Sequence, residues 1–172
     1  MAVREFDSFE GMALHLLLAK AASTPALHLA VKDAVKLVAK TAQGEIGHYQ
    51  EQMEAPNGGI GFFPAWELLA ESTEREKEAL GYPLDAPLLR TGQFRDSVKG
   101  DAVGLNGIVG TDDDVALYHE MGTDHMPPRP VFGPAGARNE VEIQRLFLEA
   151  LTGAMIFADV THTPMGSGKF RT

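Results

Sequence analysis

The chain has 172 residues, 44% of them hydrophobic, and a formal charge of −9. This is enough for one domain with a core of its own, and it excludes wholesale disorder. The acidic balance disfavours tight binding to nucleic acid or anionic lipid, and the lack of cysteine excludes a disulfide scaffold, a thiolate zinc site and a thiol nucleophile.

The opening residues MAVREFDSFEG contain no basic segment followed by an apolar one, so no signal peptide is expected. No uninterrupted apolar run approaches the roughly 20 residues of a membrane span. Asp7, with Glu10 three residues on, fits a helix N-cap box, and Phe9, Met12, Ala13, Leu16 and Leu17 follow at helical spacing. Thr24 and Pro25 suit the N-cap and first position of a second helix. Its apolar stripe is Leu27, Val31, Ala34, Val35, Val38 and Ala42, with Lys32, Lys36 and Lys40 on a solvated face.

Residues 54–64, EAPNGGIGFFP, read as a loop. A short, charged, exposed helix follows and ends at Gly81, with Pro83 and Pro87 separating it from what comes next. Trp66 at the start of this region is expected in the core. Asn106-Gly107 between short apolar stretches predicts a hairpin with strands near 95–103 and 107–111. DDDVALYHEMG then reads as a short helix, with aspartates at its N-terminal end and Gly122 closing it. Residues 136–158 read as a long helix, or a helix running into a strand beyond Gly153. The fold class is therefore α+β: N-terminal helices, a small antiparallel sheet with a hairpin, and a C-terminal helix packed on the sheet. The organisation is one domain over 1–158. It comprises a helical N-terminal segment (residues 1–50), a loop and short helix (51–86), the sheet and arm (87–135) and the C-terminal helix (136–158). A tail, 159–172, completes the chain.

The stretch YHEMGTDHMPPRP, 118–130, raises the question of a metal site. A zinc-protease helix needs histidines at i and i+4 on one face. His119 and His125 are six apart with Gly122 between them, so one helix face cannot present both. Asp112, Asp113 and Asp114 are consecutive and point in different directions. MGSGKF lacks the first glycine and the final Ser or Thr of a phosphate loop, and no serine stands in a GxSxG context. No catalytic residue, metal or cofactor is expected. A small metal-dependent hydrolase using His119, Glu120 and His125 is the alternative reading.

Two linked stretches are more informative: PLLRTGQFRDSV (87–98) and GIVGTDDDVALYHEMGTDHMPPRPVFGPA (107–135). With AWELLAESTEREKEALGYP just upstream, they resemble the tail-completion and neck proteins of long-tailed bacteriophages, the virion-morphogenesis and head–tail connector family. The resemblance covers about 66–150, and Val131 stands where that family usually has phenylalanine. It implies a non-enzymatic structural protein of the virion, assembled in the host cytoplasm. It would form a ring, hexameric by the resemblance, at the head–tail junction or upper tail end. Its partners would be copies of itself and neighbouring neck and tail-tube proteins, with DNA passing through the lumen unbound and no membrane involved.

Proline fixes φ and removes a backbone donor, so MPPRP should be a stiff, extended arm that loses little entropy on docking. The residues expected to touch a subunit or partner are Arg95, Tyr118, Glu120, Thr123, Pro127, Pro128, Arg129 and Pro130. Thr91, Gly92 and Gly122 are expected at turns. Arg129 could fork onto a neighbour's carboxylate or close an ion pair within its own domain. The first of these predicts that Arg129→Ala weakens assembly and leaves the monomer folded.

Overall fold

The computed structural model of the protein describes residues 8–54 and 61–162. The fold is α+β: the described residues form six helices and two small antiparallel hairpins.

Helix α1, Phe9–Glu45, is one continuous helix of 37 residues where two were expected. Ser8 is its N-cap, with Oγ accepting from the Gly11 amide at 3.1 Å, and Asp7 lies outside the described residues. Pro25 sits inside the helix, removing one intrahelical bond at a local cost of about 3 kcal/mol. Just before it, the Ser23 and Thr24 hydroxyls both donate to the Lys20 carbonyl, at 2.9 and 3.3 Å. The helix runs on because of what packs against it. The last helix, α6 (Glu140–His162), begins beside Thr41, which accepts from Asn139 Nδ2 at 2.8 Å. Its 23 residues rise about 34 Å, enough to pass Pro25 on the way back along α1. The α1–α6 contact is the most extensive in the fold. Tertiary packing overrides the local break.

By length and composition α1 could also cross a membrane. Counting uninterrupted apolar residues did not show this, because His15, Lys20 and Ser23-Thr24-Pro25 break the run.

Strands β1 (Met53–Glu54) and β2 (Phe62–Phe63) pair antiparallel on either side of the undescribed residues, within what was expected to be a loop. Helix α2, Glu71–Leu80, begins later than the charge pattern suggested and ends as expected. Gly81 takes φ 71°, and Tyr82 N donates to Lys77 O at 2.8 Å, satisfying a terminal carbonyl. Lys77 is buried, and its Nζ donates to Ala86 O at 2.6 Å, tying the proline-rich turn to α2.

Residues 93–97 are a short helix, α3 (Gln93–Ser97), where a strand was expected. Strands β3 (Lys99–Val103) and β4 (Asn106–Gly110) form the predicted hairpin in a different register. Val103 pairs with Asn106, so the turn is Gly104-Leu105, with Gly104 at φ 62°, and Asn106-Gly107 lies within β4. The glycines of the hairpin serve packing. A Cβ at Gly100 would lie 2.2 Å from Val35 Cγ1, and one at Gly107 would lie 2.5 Å from Val35 Cγ2. Helix α1 therefore presses directly onto the sheet, the place expected for the C-terminal helix; α6 packs on α1 instead.

Helix α4 is Val115–Met121 and α5 is Phe132–Arg138. No pattern in the residues marks α5 as a separate helix. Helix α6 passes Gly153 without becoming a strand and includes 159–162, which were expected to belong to the tail. Residues 163–172 of that tail lie outside the described residues. The core gathers Ala42 and Ile46 from the end of α1 with Trp66, Phe94, Val98, Ala116, Val131 and Ala135. It joins α1, α3, α4 and α5 at one end of the molecule.

Candidate functional site

Three stretches distant in sequence meet beside that core: 67–77 leading into α2, the turn and helix 88–94, and residues 113–129. They enclose a cavity of about 550 Å³ whose walls include Lys77, Thr91, Phe94, His119, Met126 and Arg129. Leu88, Leu89, Phe94 and Met126 give it an apolar surface. Thr91 and Gly92 form the tight turn before α3, with Gly92 at φ 85° and the Gln93 amide donating to Thr91 Oγ1 at 3.3 Å.

The proline segment is held against its own domain. Gly122 ends α4 at φ 72°, and a Cβ there would meet Pro128 N at 2.9 Å and Met126 O at 3.0 Å. Thr123 and Met126 then pair across a two-residue turn, with the Thr123 amide donating to Met126 O at 2.8 Å. The chain folds back along α4, and Arg129 N donates to His119 O at 2.6 Å. Arg129 is 5% exposed, and its Nη2 donates to the Glu67 carbonyl at 3.0 Å and reaches that of Leu68 at 3.5 Å. Its side-chain acceptors are main-chain carbonyls of its own domain, where the intramolecular reading expected a carboxylate. One guanidinium nitrogen serves both carbonyls.

Glu120 also turns inward. Its Oε1 accepts from the amides of Val131 and Phe132 at 2.6 and 2.8 Å, satisfying donors that α5 cannot satisfy itself. His119 lies 5.9 Å from the Phe94 ring, and burial, with Arg129 beside it, holds its pKa below the ordinary value. His125 is exposed at the turn. The three residues of the hydrolase reading thus diverge, and among the described residues no three His, Asp or Glu side chains converge on a point that could hold an ion. Of the other expected contact residues, Tyr118, Thr123 and Pro128 are exposed, Pro127 is half-buried and Pro130 buried. Arg95 is exposed and bonds the adjacent Asp96 at 2.9 Å.

Beneath the site, Glu45 closes α1 and pairs with Arg138, while its second oxygen, Oε2, is buried without a protein partner. Burial raises its pKa from 4.5 to about 7, against the lowering effect of Arg138 and with some help from Glu120. Between those values the folded protein binds a proton that the unfolded chain has released. The stability this group contributes is whole below about pH 4.5 and is lost as pH rises through about 7. Glu45→Gln should flatten stability between those limits and raise it above pH 7 by up to about 3 kcal/mol. Urea melts of both proteins across that range check it; parallel curves would count against the buried, protonated carboxyl.

The sequence did not reveal Lys77, which reads as one more solvated charge in a charged helix; it offered an inward Arg129 as one of two readings, with a carboxylate where the structure has main-chain carbonyls. The position of Lys77 beside a segment with two prolines was the one available signal, since such a segment has few amides with which to anchor itself. What the groove offers chemically is an apolar floor edged by charged side chains, among them Glu76, Arg90 and Asp113, and by the His119 imidazole. Comparison with protein-family models, with curated proteins and with solved structures gives no match to this chain.

Proposed function

We propose that the chain is a structural virion protein of a long-tailed phage, a subunit of a ring at the head–tail junction or upper tail end that joins the tail to the head connector. The observation that carries this reading is spatial. The stretches on which the resemblance rests fold into one unit around one groove: Arg129 reaches Glu67 and Leu68, Phe94 meets His119, and Ser97 bonds Thr111. Residues that depend on one another in this way belong to one device. A chance likeness of short motifs would not need to bring them together.

The charge supports the same reading. Each copy carries −9, so DNA passing through a ring of six would be repelled by the protein's overall field and would not adhere. The partners are other copies and the neighbouring neck and tail-tube proteins. The hydrolase reading has less support, because Glu120 is used in capping α5 and His119 and His125 face different surroundings.

The test is to add the purified protein to tails of its own phage assembled without it. It should bind one end of each tail as a ring in electron micrographs and restore joining to heads. Failure to bind tail ends, with the protein folded, would sink the proposal.

A further inference from the structure

The two halves of α1 have different surroundings. Of its buried residues, only His15 precedes Ala30; the others are Ala30, Val31, Ala34, Val35, Ala39, Ala42 and Glu45. The C-terminal half lies between α6 and the hairpin, α3 and α5. The N-terminal half belongs to a two-helix arm with α6, and that arm is apolar well beyond the contact between its helices. Residues 11–31 carry a single formal charge, Lys20. Only 17% of the most apolar 18-residue window of α1 is buried. Phe9 is 78% exposed and Leu17 64%, while on α6 Leu148 is 66% and Met155 59% exposed. Successive helical residues point about 100° apart, so Leu14, Leu16 and Leu17, all exposed, share one face about 160° wide. An apolar helix face of this width, on the side its own chain leaves open, is a face that needs a cover.

We propose that this arm is the surface through which copies of the chain associate, the outer face of α1 in one copy packing on the outer face of α6 in the next. The area fits. The chain exposes 12070 Å², against about 8,200 Å² for a compact monomer of its mass. Even with the residues outside the described ranges counted as wholly solvated, an excess of about 1,100 Å² remains, close to what a specific interface buries. Charge favours a second copy over other partners. An almost uncharged surface selects nothing charged, and the net charge of −9 opposes nucleic acid and anionic lipid. Each arm carries two different apolar strips, one per helix. An interface that joins unlike strips repeats from copy to copy, as a closed ring or an open chain. The choice of a ring over an open chain rests on the proposed function; the use of the arm rests on its own exposure.

Light scattering and sedimentation of the full chain test this with Leu17→Glu and Met155→Glu, one on each strip. Wild type is expected as a closed oligomer. Each variant should fall to the mass of one 18.5 kDa chain with unchanged circular dichroism. Mixed together, the variants should give dimers and nothing larger, because each keeps one intact strip. A wild type that is monomeric at every concentration, variants that keep the wild-type mass, or a wild type that binds phosphatidylcholine vesicles in preference to itself would overturn the inference. In the first two cases, binding to tail ends would still leave the neck reading standing.

Discussion

Gly100→Ala is expected to cost the fold about 3 kcal/mol, and Val35→Ala in the same chain to return most of it. A methyl at residue 100 would lie 2.2 Å from Val35 Cγ1 and 3.3 Å from the Val35 carbonyl oxygen. Val35 cannot swing aside easily, since a β-branched side chain in a helix has one strongly preferred χ1. Its helix is held on the far side by α6. The hairpin must therefore move off α1, and overpacking of this kind costs about 1–3 kcal/mol, occasionally more. For a chain of this length, 3 kcal/mol lowers the melting midpoint by roughly 6–12 °C. The double variant separates a clash from a change in strand propensity: a clash gives a coupling of about 2 kcal/mol between the sites, and propensity gives none. Gly110→Ala on the neighbouring strand is the control, because a Cβ there meets nothing within 4 Å and its φ is negative. If Gly100→Ala and Gly110→Ala melt alike, the close approach of helix and sheet is wrong.

The same contact explains why the hairpin was only partly legible. Asn106-Gly107 is the stronger turn signal, and it placed a hairpin in the right region of the chain. But Gly107 is needed where α1 presses on the strand, and Gly104, with φ 62°, supplies the turn. A glycine can be present for backbone freedom or for space, and sequence does not distinguish the two. Helix ends set by local chemistry, such as Gly81 and Gly122, were readable. So was the stripe from Val31 to Ala42, most of which is buried. Features decided by distant packing were not: the continuity of α1 through Pro25, the cover of the sheet by α1, and the inward turn of Glu120. The apolar spacing of Phe9, Leu16 and Leu17 reads correctly as helix, but periodicity does not say whether a layer that covers it belongs to the same chain.

Arg129→Ala should destabilise the isolated chain, by about 3 kcal/mol, before any effect on assembly is reached. The guanidinium is 5% exposed and bridges the fold-back after α4 to the carbonyls of Glu67 and Leu68, more than sixty residues earlier. Hydrogen bonds from a charged donor are worth roughly 1.5–3 kcal/mol, and truncation also removes the packing of the aliphatic stem. Main-chain bonds soften the loss: Arg129 N to His119 O and Thr123 to Met126 survive the substitution, so the segment should loosen without unfolding. Lysine at 129 keeps the charge but replaces the buried planar guanidinium with a compact, more strongly hydrated ammonium, and should recover less than half of the stability. Thermal melts of the monomeric Met155→Glu chain, with and without each change, keep assembly out of the measurement. A midpoint unmoved by Arg129→Ala, with assembly lost in the otherwise wild-type chain, would return Arg129 to the interface and mean that its inward placement is wrong. A midpoint lowered by roughly 6–12 °C would make the proline segment a strap that closes the groove, leaving the apolar arm as the surface that meets other copies.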